Sequence, residues 1–159
     1  VGFVESAAIL KNYQPVKRRM EVCFQHPSLT VYDDFAHHPT AIRKTTQAIK
    51  KSSKHQRLIG ILEFASNSMR AGHHLQAMPE ALGALDKLYV LNNMDFNLAE
   101  QVKKWPCSVE IFPNVDALLE SLMAEIMPHD AVVMMSNKGF GMLKQKFMDL
   151  LSKAYFAPA

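Results

Sequence analysis

Thr30–Thr40 reads TVYDDFAHHPT, and the parsing of this stretch decides the fold. Leu29–Tyr32 is an apolar run of strand character, and Pro39 suits the first position of a helix. Between them stand two carboxylates, Asp33 and Asp34, and two imidazoles, His37 and His38. A strand that hands over to a helix through a polar cluster belongs to an open α/β sheet. Ligands of such sheets bind outside the carboxyl ends of the strands.

Working outward, the same alternation recurs. Upstream, Met20–Gln25 and Leu29–Asp33 are apolar runs separated by His26-Pro27-Ser28, which predicts an antiparallel hairpin. Residues 1–20 read as a short helix and a basic connector. Downstream, Pro39–Ser53 is an amphipathic helix with Ile42, Thr45, Thr46 and Ile49 on one face and Lys50, Lys51 and Lys54 at its end. Strands follow at Arg57–Glu63, Lys87–Leu91, Ser108–Phe112 and Ala131–Met135. Helices are expected at His74–Leu85 (interrupted at Pro79), Asn97–Lys104, Val115–Met127 and Gly141–Ala154. The fold class is α/β: a Rossmann-like, doubly wound, mostly parallel sheet with helices on both faces and an N-terminal antiparallel hairpin.

At 159 residues, with 48% apolar and 21% charged residues, the chain has the makings of one soluble domain with a sizeable core. Its net charge of +3 fits an anionic small molecule, and no face interleaves dense Lys/Arg with aromatics as nucleic-acid binding requires. No apolar run approaches a membrane span and no secretory signal is visible, so the expected location is cytoplasmic. Cys23 and Cys107 lie in strand-like runs and read as buried thiols. The opening Val1-Gly2-Phe3, without an initiating Met, suggests a segment of a longer protein.

Four segments leave the carboxyl ends of the strands: Asp33–His38, Glu63–Gly72, Asn92–Asp95 and Ser136–Gly141. Parallel strands bring such segments to one rim, and here they carry most of the chain's candidate ligand-contacting residues. The Ser136–Gly141 loop offers backbone N–H groups and a helix N-terminus to an anion. Arg70 suits bidentate binding of a carboxylate. No phosphate loop, dinucleotide fingerprint, H-E-x-x-H or C-x-x-C pair is present, so a nucleotide would be held mainly by another domain.

Arg18-Arg19-Met20-Glu21 followed by Asp33-Asp34-Phe35-Ala36-His37-His38-Pro39-Thr40 resembles the start of the C-terminal domain of the Mur ligases, ATP-dependent amide-forming enzymes of peptidoglycan synthesis. Ser66-Asn67-Ser68-Met69 and Met135-Ser136-Asn137-Lys138-Gly139-Phe140-Gly141 are most similar to the branch that recycles murein tripeptide. The resemblance runs from about Val16 to Ala154. It departs from the family pattern at Phe64-Ala65, where the family has Pro-Arg, and at Lys138, where it has Gly.

The resemblance implies residues 1–19 as a short helix and connector from a preceding domain, and 20–159 as the C-terminal domain. It implies two further domains of the same longer chain, an N-terminal one for the UDP-sugar and a central one that holds most of the ATP and Mg, with UDP-N-acetylmuramate and the tripeptide L-alanyl-γ-D-glutamyl-meso-diaminopimelate as substrates. Arg19 and Asp34 match nucleotide-contacting positions. His37, His38, Ser66, Asn67, Ser68, Arg70, Ser136, Asn137, Lys138, Gly139 and Phe140 form the substrate rim. Of these, His37 is the candidate catalytic residue and His38 mainly a helix cap. The family member that adds L-alanine alone is the near alternative. Two other readings stay open: a phosphoesterase binding Mn or Zn through Asp33, Asp34, His37 and His38, and a non-catalytic α/β ligand-binding module.

Overall fold

The apolar runs become six strands in a computed structural model that describes residues 17–52, 55–91 and 98–156. They are β1 (Glu21–His26), β2 (Leu29–Asp34), β3 (Arg57–Glu63), β4 (Lys87–Leu91), β5 (Ser108–Phe112) and β6 (Asp130–Met135). The helices are α1 (Pro39–Ser52), α2 (Asn67–Arg70), α3 (Met78–Ala81), α4 (Ala99–Val102), α5 (Val115–Glu125) and α6 (Leu143–Phe156), with a 3₁₀ turn at Leu75–Ala77.

The strands form one sheet in the order β1-β2-β6-β3-β4-β5. Only β1 and β2 pair antiparallel, with a register shift between Val22 and Phe24 that bends the edge strand. The remaining pairs are parallel. On one face, Ile42 and Ile49 of α1, with Met78 and Ala81 of α3, pack over Leu58, Leu62, Leu88, Val90, Ala131, Val133 and Met135. On the other, Leu118, Leu119 and Leu122 of α5 and Leu143, Phe147 and Leu151 of α6 cover Val31, Ile59, Ile61, Tyr89, Val132 and Met134. Strands buried on both sides must be apolar throughout, which is why the runs were continuous rather than alternating. Gly60 in β3 leaves room for Leu85, since a Cβ there would stand 2.8 Å from that side chain.

The order positions the site. β6, last in sequence, is inserted between β2 and β3. Its chain leaves to the α5–α6 face, whereas the chain after β2 and β3 leaves to the α1–α3 face. A crevice therefore opens at the carboxyl ends of these three strands. Asp34 and Leu62 are both level with Met135.

Several boundaries differ from the sequence expectation. The expected helix at His74–Leu85 is broken into the 3₁₀ turn and the single turn of α3. The last helix starts at Leu143, because Gly139 (φ 100°), Phe140 (φ 57°) and Gly141 (φ 59°) are left-handed and cannot belong to it. The one-turn α2 had no sequence signal. The N-terminal helix, Ser53 and Lys54, the Asn92–Asp95 rim segment and Asn97 lie outside the described residues. Among the described residues no helix is long and apolar enough to cross a membrane. Both cysteines are free and half-buried, and burial pushes each thiol up to about 11.

Candidate functional site

Strand alternation sends the two adjacent carboxylates to opposite faces of the sheet. Asp34, 3% exposed, turns toward α1. Its Oδ2 accepts the Met20 N–H and its Oδ1 the Ala36 N–H, each at 2.7 Å. It lines a cavity of about 410 Å³ with Arg19, Met20, Ala41, Lys44 and Thr45. The Arg19 guanidinium lies over the Phe35 ring, 5.6 Å from its centroid.

Asp33, 4% exposed, turns toward α6. Its carboxylate takes a 2.7 Å hydrogen bond from Lys144 Nζ and lies 3.5 Å from Arg18 Nε. These groups share a second cavity, about 360 Å³, with Gly139, Phe140 and Gly141. Burial alone would lower the Lys144 ammonium, but Asp33 and Glu21 outweigh it and hold the group above its ordinary value.

The loop after β6 is organised by Ser136, which is fully buried. Its hydroxyl donates to Glu63 Oε2 at 2.5 Å and accepts the N–H groups of Lys138 (3.0 Å) and Gly139 (2.9 Å). The Phe140 N–H donates to the same Glu63 oxygen at 3.1 Å. These backbone donors, expected to face an anion, are therefore spent inside the loop. What the loop offers outward is the exposed Lys138 side chain. Asn137 Oδ1 is buried and accepts no hydrogen bond from the described residues. In the sequence Glu63 stands at the start of a rim segment and gives no sign of a clamp. Its role as the clamp depends on β3 and β6 being neighbours, a pairing between residues 73 apart in the chain.

The segment after β3 carries Ser66, Asn67, Ser68 and Arg70. Ser66 caps α2, its hydroxyl accepting the Met69 N–H at 3.3 Å. Asn67 and Ser68 are exposed, Arg70 is half-buried, and Met69 is in the core.

At the β2 exit, His37 Nδ1 lies 2.9 Å from the Phe35 carbonyl. A carbonyl only accepts, so Nδ1 bears the proton and neutral His37 presents Nε2 as an acceptor. His38 is exposed, and its Nδ1 accepts the Thr40 N–H at 3.4 Å, which makes it the cap of α1. Its ring meets that of His74 at 4.4 Å. Burial, then the neighbouring His38 and His73, hold His74 below the ordinary imidazole value.

Arg19 and Asp34 thus share one cavity, while His37, Ser66–Arg70 and Ser136–Phe140 follow adjacent strands to one edge. The metal-centre reading is not supported. Asp33 and Asp34 diverge, and among the described residues no three His, Cys, Asp or Glu side chains are grouped to hold an ion.

The model of the Mur ligase, glutamate ligase domain, matches residues 18–138. Over 154 residues the chain is 34% identical to the UDP-N-acetylmuramate–L-alanyl-γ-D-glutamyl-meso-2,6-diaminoheptandioate ligase of Haemophilus influenzae, covering 95% of this chain and 34% of that one. A murein peptide ligase from Psychrobacter arcticus superposes with a TM-score of 0.74 at 30% identity, covering 92% of this chain and 32% of that one. A separately crystallised domain from Haemophilus ducreyi, named for a ligase of the same substrates, gives a TM-score of 0.67 at 28% identity and is covered over 99% of its length. The chain spans about a third of the length of the curated relatives it matches.

Proposed function

The chain belongs to the Mur ligase family through its glutamate ligase domain, and from that premise we propose that it is the peptide-holding C-terminal domain of an ATP-dependent ligase joining L-alanyl-γ-D-glutamyl-meso-diaminopimelate to UDP-N-acetylmuramate. The observation that carries the reading is the 34% identity along 95% of the chain to a relative named for those substrates. The polar edge at β2, β6 and β3 supports it. In this reading residues 1–19 lead in from a central ATP-holding domain, 20–159 form the domain itself, and the enzyme works in the cytoplasm, where ATP is.

The chemistry asks for positioning and charge neutralisation. ATP activates the muramoyl carboxylate as an acyl phosphate, and the tripeptide's free amine displaces phosphate to form the amide. Arg19, exposed beside the Asp34 cavity, meets the nucleotide through its guanidinium. Each Asp34 oxygen accepts one backbone N–H and keeps a lone pair for a ribose hydroxyl. Arg70 and Lys138 supply cations for the peptide's carboxylates, with Ser66, Asn67, Ser68, Ser136, Asn137, Gly139 and Phe140 shaping the rim around them. His37 Nε2 orients the incoming amine or accepts its proton. His38 sets the helix start, and with it the direction of His37. The described residues offer no acidic cluster for Mg, which in this reading travels with the phosphates on the central domain.

The test is amide formation by the full-length parent enzyme. ATP, UDP-N-acetylmuramate and tripeptide should together give ADP and one new amide-linked product. Product with L-alanine but none with tripeptide would reassign the chain to the alanine-adding branch.

A further inference from the structure

Arg18 sits in the connector before β1, yet it is bound at more points than a connector residue needs. Its backbone is left-handed (φ 58°), as is that of Met20 (φ 47°). Residues with side chains keep that conformation where their surroundings enforce it. Here the Arg18 N–H donates to Glu21 Oε2 at 3.0 Å, its carbonyl accepts the Phe35 N–H at 2.8 Å, and the Met20 N–H is held by Asp34. The guanidinium then reaches across the edge. Nη2 donates to the Ser136 carbonyl, Nε lies 3.5 Å from Asp33, and Cζ lies 5.5 Å from the centroid of Phe35, the ring that Arg19 also covers. A Cβ on Gly139 would stand 3.7 Å from Nη1, so the loop runs close beside this side chain.

Ser136 is thereby gripped at every polar atom. Its N–H donates to the Asp34 carbonyl at 3.2 Å, its hydroxyl is held by Glu63, and its carbonyl is held by Arg18. Of these three, only Arg18 comes from the segment that leads in from residues 1–16. Because both its backbone and its guanidinium are pinned, a change in the connector backbone must either carry the Ser136 loop along or break the Arg18–Ser136 bond.

We propose that Arg18 is the positioning residue that couples the nucleotide side of this domain to its substrate loop. It fixes the backbone that presents Arg19 and Met20 beside Asp34, and through the Ser136 carbonyl it fixes the loop that carries Lys138. The proposal rests on the roles given above to Arg19 and that loop. Lysine is not equivalent, because one ammonium replaces the separate contacts of Nη2 to the Ser136 carbonyl and of Nε toward Asp33, and it loses the planar group over Phe35.

Two measurements on the full-length enzyme decide it, with Arg18→Lys as the main variant and Arg18→Ala beside it. The first is amide hydrogen exchange, which is independent of any assay of ligation. In Arg18→Lys, exchange at Lys138–Phe140 should rise about tenfold while that of α1 is unchanged, since the loop's N–H bonds depend on how Ser136 is held. The second is steady-state kinetics. KM should rise about fivefold or more for both ATP and tripeptide, with KM for UDP-N-acetylmuramate within about twofold of the parent value. Unchanged loop exchange would overturn the proposal whatever the kinetics show. So would a KM change confined to ATP, or a uniform loss of kcat with all three KM values intact, which marks a merely structural residue. If the parent enzyme makes no amide from tripeptide, the functional reading fails and the exchange measurement still decides the coupling.

Discussion

Asp34 is a structural residue that the proposed reading also places in the site. Its two oxygens hold the N–H groups of Met20 and Ala36, and Asp34 itself is only 3% exposed. Hydrogen bonds to a buried charged acceptor contribute about 1.5–3 kcal/mol each. Asp34→Ala should therefore cost about 3 kcal/mol, and Asp34→Asn about half of that, because its amide oxygen still serves one of the two donors. Urea unfolding gives the number, read from the midpoint at unchanged slope. In the full-length enzyme the Asn variant is then the cleaner probe of ATP, and its KM for ATP should rise. The rim residues divide differently. If Arg70 and Lys138 hold the peptide as proposed, Arg70→Ala and Lys138→Ala remove binding common to ground and transition states, so each should raise the tripeptide KM and spare that of UDP-N-acetylmuramate. In the proposed reading His37→Ala removes the Nε2 that meets the amine, and it should lower kcat instead. Tripeptide kinetics untouched in all three would move the peptide pocket elsewhere.

At the scale of elements, the Ser136–Gly141 loop is shaped by partners it could not announce in sequence. Ser136→Ala deletes the acceptor for two backbone N–H groups and the donor to Glu63, and should cost about 2 kcal/mol while raising the tripeptide KM. Equal KM values would show that the loop's conformation does not matter to binding. The strands and the long helices α1, α5 and α6 were legible because each has its own apolar run or stripe, bounded by Pro, Gly or a cap such as Asn114, whose Oδ1 accepts the Ala117 N–H. The rim was legible because parallel strands put their carboxyl ends on one side. What stayed hidden was the insertion of β6 between β2 and β3, and with it the clamp by Glu63. Nothing local in Glu63 distinguishes a strand-end carboxylate facing solvent from one facing Ser136. The left-handed residues Arg18, Met20 and Phe140 were equally silent, since none is a glycine and each is held there by distant groups.

For the whole molecule, the question is whether a chain that spans about a third of its curated relatives is a folding unit. Both faces of the sheet are covered and each carries its own buried cluster, so the chain holds a complete core. Trp105, the single tryptophan, is buried and stacked with Phe64 at 6.5 Å, and it reports on that core directly. The isolated chain should unfold in urea with coincident tryptophan-fluorescence and circular-dichroism transitions, which is the two-state signature. Its stability should also follow pH in two steps. Burial holds His55 and His74 below the ordinary imidazole value of 6.5. The unfolded chain therefore binds more protons below that value, and stability declines as pH falls from about 6.5 through the folded values. Burial alone would raise Asp86, but its bonds to Lys50 and the Leu58 N–H outweigh this and hold it low. Hydrogen bonds from Lys87 and Tyr89 do the same for Glu125. Their contributions are present above the ordinary carboxylate values of 3.8 and 4.5 and are lost as pH falls through the lower folded values. The midpoint of urea unfolding at pH 7.5, 5.5 and 3.5 should fall at each step, and a flat profile would contradict both assignments. Folded in this way at pH 7.5, the same preparation should release no ADP from ATP with UDP-N-acetylmuramate and tripeptide present, because in the proposed reading the phosphates are held mainly by a central domain outside these 159 residues. ADP release above background would make the chain an ATPase in its own right and would overturn the division of labour proposed for it.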